Sequence, residues 1–158
     1  MPKAFKIRPA CREDAEGASE LWANLAQQHH AYDSQWWGWS EDAANMWRRG
    51  FDRDRPELVQ LVAQEPDGKI VGMVRGRVEN NPAILATRRR GAVWDIYVLP
   101  RCRLMGVEAA LLEAVIDEFR RRGAQEMTVS VAHANQTAMA VYGKLGLRPV
   151  MLTMYKRL

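Results

Sequence analysis

Cysteine is scarce in this 158-residue chain: Cys11 and Cys102 allow one bridge at most, and their spacing matches no metal-ligand motif. Neither a disulfide-stapled secreted scaffold nor a zinc module finds support there. No apolar run approaches the roughly 18 residues that span a bilayer. The N-terminus, Met1-Pro2-Lys3-Ala4-Phe5, has no apolar stretch behind its charges, so no secretory signal is expected. No internal repeat, low-complexity tract or Pro/Ser-rich linker divides the sequence, and one domain over residues 1–158 is expected. These absences point to a reduced, cytoplasmic protein with no membrane partner and no metal. Charge of one sign does not dominate either. Lys and Arg number 23 against 19 Asp and Glu, giving a net charge of +4 and a pI of about 9.3. Arginines cluster at Arg88–Arg90, at Arg101 and Arg103, and at Arg120–Arg122. An anionic partner fits them, but so do solvated helix ends. No aromatic-plus-basic RNA signature accompanies them, so nucleic acid is not the expected partner.

What is present is a mixed succession of strands and helices. Phe5-Lys6-Ile7-Arg8 alternates like a short strand and stops at Pro9. From Arg12 to Gln28, Ala15, Ala18, Leu21, Trp22 and Leu25 follow helical spacing. A polar and aromatic stretch, His29 to Trp39, leads to a second helix over 40–49, with Ser40 as its expected cap. Leu58–Ala63 and Ile70–Val74 flank the turn residues Pro66-Asp67-Gly68-Lys69 and predict an antiparallel hairpin. A loop through Asn80, Asn81 and Pro82 precedes a strand over 92–98. A long helix from Gly106 to Arg122 carries the stripe Val107, Ala110, Leu111, Ala114, Val115 and Phe119, with Gly123 as its stop. A strand over 127–132, a helix over 135–145 and a last strand over 149–155 complete the chain. The order is that of a mixed α/β protein.

Two stretches carry chemistry. The first is a strand, a proline, a basic loop and a helix start, from Ile96 to Glu108. A helix N-terminus offers unpaired N–H groups and partial positive charge to an anion. Arg103 adds a bidentate donor, and Gly106, lacking Cβ, permits close backbone approach to a ligand. The second is Asn135 to Leu147, in which Asn135 and Tyr142 lie seven residues, or two helical turns, apart and project to the same side. Alone, each stretch has an ordinary structural explanation: a strand-to-helix connection, and an Asn cap followed by a core Tyr.

Together they resemble the GNAT superfamily of acyl-CoA-dependent N-acyltransferases. That family has a strand ending V-x-P, then R/Q-x-x-G-x-G/A, and later N-x-x-A-x-x-x-Y-x-K-x-G-F. The matching residues are Val98, Pro100, Arg103 and Gly106, then Asn135, Ala138, Tyr142, Lys144 and Gly146. The resemblance implies a mostly antiparallel central sheet with one splayed parallel pair of strands, flanked by helices. It also implies acetyl-CoA as co-substrate and an amine-bearing acceptor. Homodimers are common in such a family, though no feature of this sequence decides the matter. By resemblance, main-chain groups of Ile96 and Val98 hold the cofactor's extended arm. The loop Arg103, Leu104, Met105, Gly106, Val107 and Glu108 holds its diphosphate, Asn135 holds a polar group, and Tyr142 is the acid that protonates the departing thiolate. Three positions depart from the pattern. Leu104 replaces a glycine, Leu147 replaces the usual Phe, and Glu108 stands where Gly or Ala is usual. A carboxylate there competes with a diphosphate for the same N–H groups and repels it. The side chain is therefore expected either to swing to solvent or to Arg101, or to weaken the cofactor's hold.

The acceptor amine must lose a proton before it attacks. Asp95 is the nearest base in sequence, but side chains alternate along a strand, so a structural role is expected for it. His29, His30 and Glu41 are the alternatives. A covalent route through Cys102, which lies among arginines, is the rival to direct transfer. Trp22, Trp36, Trp37, Trp39 and Trp47 all fall in the two-helix N-terminal region. There they either cage a cationic amine or form a core of their own. The expected activity is N-acetylation of a primary amine on a small molecule, peptide or protein. The alternative is a GNAT-fold acyl-CoA-binding or regulatory protein impaired by Glu108.

Overall fold

A computed structural model of the chain describes residues 5–51 and 55–158. The reading of Met1–Ala4 above lies outside the described residues. Five strands form one sheet in the order β1-β2-β3-β4-β5: β1 Lys6–Pro9, β2 Leu58–Gln64, β3 Ile70–Asn80, β4 Arg89–Val98 and β5 Glu126–Val129. The first three pairings are antiparallel and β4·β5 is parallel. Helices α1 (Ala15–Tyr32) and α2 (Ala43–Phe51) share one apolar core with Val62, Met73 and Tyr97. Helix α3 (Val107–Arg121) and α4 (Gln136–Lys144) share a second core with Val59, Val71, Val74, Val93 and Val98. Leu111, Leu112, Val115 and Phe119 of α3 are fully buried in it, as the apolar stripe requires.

Glycines bring the second layer close. An added Cβ on Gly91 would strike the Phe119 ring, and one on Gly76 would strike the Ala92 carbonyl while lying 3.0 Å from Phe119. The absence of side chains at Gly76 and Gly91 makes the slot that Phe119 fills. Gly72 opposes Leu111 in the same manner, at 3.0 Å.

Several element boundaries differ from the sequence reading. Helix α1 continues to Tyr32, which makes His29 and His30 helical. Helix α2 starts at Ala43, and Asp42 rather than Ser40 stands before it, with its carboxylate taking Asn45 Nδ2 at 2.9 Å and Arg49 at 2.9 Å. Strands β3 and β4 extend each other through Glu79 and Arg90, paired at 3.2 Å, so the connecting loop shrinks to 81–88. The strand expected over 127–132 ends at Val129, because the chain there departs from β4. The last strand, expected over 149–155, is not formed: residues 148–158 lack regular structure and are exposed. The alternating apolar residues that suggest a strand there pair with no described strand of the sheet.

Candidate active site

The parallel pair is short. Arg90–Val93 register with Glu126–Val129, and β4 runs on to Val98 alone. Ser130, Val131 and Ala132 turn away, leaving a narrow cleft of about 100 Å³ that Ile96, Val98, Glu108, Asn135 and Tyr142 help to line. Strand geometry fixes what β4 shows to this cleft. Leu99 donates its N–H to Val71 O on the β3 side at 2.9 Å. Main-chain groups alternate along a strand, so those of Val98 and Ile96 face the opening instead. A bulge precedes them: Arg75 registers with Asp95 but Gly76 with Val93, leaving Trp94 as the extra residue. Trp94 and Ile96 reach the cleft, while Asp95 turns beneath α2 and accepts the Trp47 indole N–H at 3.1 Å. Burial holds the Asp95 carboxyl above its usual range, and the indole bonds and Arg75 only partly offset this.

At the far end of β4, Pro100–Met105 forms a 3₁₀ turn and Gly106 joins it to α3 with φ 77°. A Cβ on Gly106 would meet nothing within 4 Å, so its glycine serves the left-handed dihedral rather than close approach. The first helical acceptor of α3 is Gly106 O, which Ala110 N–H reaches at 3.0 Å. The N–H groups of Val107, Glu108 and Ala109 therefore lack helical partners, as an anion seat requires. The side chains of the loop have separate fates. Leu104 is wholly in solvent, Met105 packs at the rim of the core, and Val107 is buried in it.

Two loop side chains depart from expectation. Arg103 folds inward: its Nε donates to Val98 O at 3.1 Å, its Nη2 to Gln28 Oε1 at 2.9 Å, and its guanidinium lies 5.3 Å from the Tyr97 ring centroid. It thus occupies a main-chain acceptor that the sequence reading assigned to the cofactor's arm. Glu108 goes neither to solvent nor to Arg101, whose guanidinium is held by Glu65 at 2.7 Å through both nitrogens. It lines the cleft instead. Burial raises its pKa, with Arg103 opposing.

Asn135 caps α4, its Oδ1 accepting Ala138 N–H at 3.1 Å, and the residue lines the cleft. Tyr142, two turns on, is buried in the cleft wall, and its hydroxyl bonds to no described residue. Burial raises its pKa well above the ordinary phenol value, and the charge of Glu108 adds to the effect. This phenol stays protonated at any physiological pH.

Of the other base candidates, only His29 reaches the cleft. Its ring stacks on Trp37 at 4.3 Å, and burial lowers its pKa, so it is neutral at pH 7. His30 instead bonds the Trp37 carbonyl at 3.0 Å. Cys102 is 1% exposed and belongs to the core, which denies a covalent route an accessible thiol. The five N-terminal tryptophans contact one another: Trp22 on Trp47 at 5.9 Å, Trp22 against Trp39 at 5.4 Å, Trp37 on Trp39 at 5.5 Å and Trp36 against Trp37 at 6.1 Å. None of the five lines the cleft, and Trp39 spends its indole N–H on Ala26 O at 2.9 Å. They form an aromatic cluster over α1 and α2 in which Trp22 is buried and Trp36 and Trp39 are exposed. Sequence reasoning missed Gln28 and Tyr32, which line the cleft with Leu25 and His29. Their spacing along α1, one face at i, i+3, i+4 and i+7, was the available signal.

This arrangement, a parallel pair splayed beside a bulged strand with a helix N-terminus at its end, is that of an acyltransferase fold. The model of the Acetyltransferase (GNAT) family matches residues 12–147, so the chain belongs to that family. Solved structures share the fold at low identity. The BH1408 protein from Bacillus halodurans, solved as a tetramutant, superposes with a TM-score of 0.84 at 18% identity, covering 97% of this chain and 99% of that one. An aminoglycoside N-acetyltransferase, AAC(6')-Iy, solved in complex with CoA, gives 0.78 at 20%, covering 100% and 97%. A ribosomal-protein-alanine N-acetyltransferase from Brucella melitensis biovar Abortus 2308 gives 0.76 at 21%, covering 98% and 100%.

Proposed function

We propose that this protein is an N-acetyltransferase that moves the acetyl group of acetyl-CoA directly to a primary amine within a ternary complex. One observation carries it: beyond Val93 and Val129 the sheet opens, and this opening joins β4 main-chain groups that no strand pairs on that side, the free N–H groups of α3 and a protonated Tyr142. The free main-chain groups suit the cofactor, whereas Glu108 opposes it and Arg103 covers one of its acceptors, Val98 O.

Acetyl-CoA supplies a thioester whose carbonyl is the electrophile. The main chain of Ile96 and Val98 binds the extended arm by strand addition and offers N–H groups to a carbonyl oxygen gaining charge. To free Val98 O, Arg103 must release it and turn toward the diphosphate, where the Gly106–Ala109 backbone adds N–H donors. Leu104 and Met105 contribute backbone only. Asn135 Nδ2 is a donor to a carbonyl of the arm. Tyr142 gives its proton to the departing sulfur, which a phenol held neutral can do without prior ionisation. Neutral His29 is the one base candidate at the cleft able to take the amine's proton.

The test pairs two measurements. CoA should raise the melting temperature, as a ligand of the native state does, and amines should release free thiol from acetyl-CoA. Tyr142→Phe should lower kcat by about 10²–10³-fold while leaving the CoA shift intact. Absence of any CoA shift sinks the proposal. A second reading, a GNAT-fold binding or regulatory protein, is favoured by Glu108 in the cleft. A CoA shift without thiol release from a broad amine panel would select it.

A further inference from the structure

Side chains alternate along β3, so Arg75, Arg77 and Glu79 stand in one row on the sheet face that α1 and α2 partly cover. Trp94, the extra residue of the β4 bulge, sits against this row. The Arg77 guanidinium lies 4.9 Å from its ring centroid and that of Arg75 lies 5.9 Å away. The same Trp94 lines the cleft and is 42% exposed. One indole thus separates the candidate active site from two arginines.

Those arginines are short of partners. Arg75 is 9% exposed, yet its Nε is buried with no hydrogen-bond partner, and no carboxylate bonds its guanidinium among the described residues. Asp95 faces it but spends its carboxylate on the Trp47 indole. Arg77 has 42% of its side chain exposed, and its Nε is also unpartnered, with Glu79 Oε2 standing off at 3.5 Å. Glu79 meanwhile accepts Arg90 at 3.2 Å. Three guanidinium groups therefore share two carboxylates, Asp95 and Glu79. Arg55, whose field also reaches Arg75, has Glu57 of its own at 3.0 Å. Indole faces repay only part of the cost of holding a cation out of water. Among the described residues the row keeps one positive charge in excess, next to the cleft.

We propose that the acceptor carries a carboxylate besides its amine, and that Arg77 binds this carboxylate while Arg75 adds positive charge behind it, an inference that rests on the acetyltransferase reading of the same cleft. A planar carboxylate matches the paired N–H donors of a guanidinium and brings the single negative charge that the row lacks. A phosphate brings nearly two and overshoots it. With the amine in the cleft, the chain joining the two groups passes Trp94. Arg77 is then a specificity-determining residue, remote from the reacting atoms.

The test sets ω-amino acids of increasing chain length against their own carboxamides, which keep the amine and lose the charge. Thiol release from acetyl-CoA gives kcat and KM for each. At the best length the acid should exceed its amide at least about tenfold in kcat/KM, as a charge-assisted pair allows. Arg77→Gln should raise KM for the acid until acid and amide are used alike. Calorimetry reads the same preference without turnover: the N-acetylated acid should bind the CoA-loaded protein at least about tenfold more tightly than the N-acetylated amide. Arg77→Lys keeps the charge but loses the paired donors, and should retain only part of the preference if the glutamine variant does not fold. Amides used or bound as well as acids overturn the inference, as does a preference that neither substitution changes. In both cases a CoA shift with thiol release leaves the acetyltransferase standing, whereas absence of the CoA shift brings both readings down.

Discussion

Glu108 is the residue at which local chemistry and cofactor binding conflict. A carboxylate in the first turn of a helix is favourable, yet here it lies half-buried in the cleft whose free N–H groups would otherwise meet a diphosphate. Its raised pKa means that the folded state disfavours the charge. Stability from this group is complete below the ordinary glutamate pKa and is lost as pH rises through the raised one. Glu108→Gln should therefore gain stability over the natural protein at neutral pH, a gain that vanishes toward pH 4; urea midpoints across pH check it. The same substitution should tighten CoA binding about tenfold at pH 7.5 and flatten its pH dependence, read by calorimetry. Unchanged affinity would place the carboxylate away from the diphosphate. Asp95 is the contrasting case. It accepts the Trp47 indole N–H and lies beside Arg75, whose guanidinium is 5.3 Å from the Trp47 ring centroid and 5.9 Å from that of Trp94. Asp95→Ala should cost about 1–3 kcal/mol by stranding buried donors, whereas Asp95→Asn should keep most of the stability.

At the scale of elements, β4 organises the molecule. Its N-terminal half is clamped between β3 and β5, and its C-terminal half is free on one side. Gly91, in the clamped half of β4, and Gly106, in the turn that follows β4 and leads into α3, make a contrasting pair. Gly91→Ala places a Cβ in the Phe119 ring and should destabilise by about 1–3 kcal/mol, as overpacking does. Gly106→Ala meets open space, so its cost is the left-handed dihedral alone, about 1 kcal/mol. Chemical denaturation of both variants measures the pair. Equal costs would contradict the distinction between a glycine needed for space and one needed for φ. The helices were legible in the sequence because their stripes are complete: Val107 to Phe119 for α3, Ala15 to Leu25 for α1. The end of α1 was not, since His29 and Tyr32 lie beyond the stretch Arg12 to Gln28 and are helical without an apolar signal. They belong to a face that lines a cleft.

At the scale of the whole molecule, ligand binding bears on stability. A saturating ligand at about 100 times its Kd adds about 2.7 kcal/mol. The sequence alone determined the order of strands and helices through α4, the apolar stripes of α1 and α3, and the motif residues Arg103, Gly106, Asn135 and Tyr142. These depend on period, turn chemistry and spacing, which are local. Tertiary structure decided where β5 parts from β4, that Arg103 folds onto Val98 O, that Glu108 faces Tyr142's cleft and that 149–155 is no strand within its own chain. Each of those outcomes depends on which groups distant in sequence compete for the same partner: an acceptor, a pocket or a sheet edge. That competition is settled only when the elements meet.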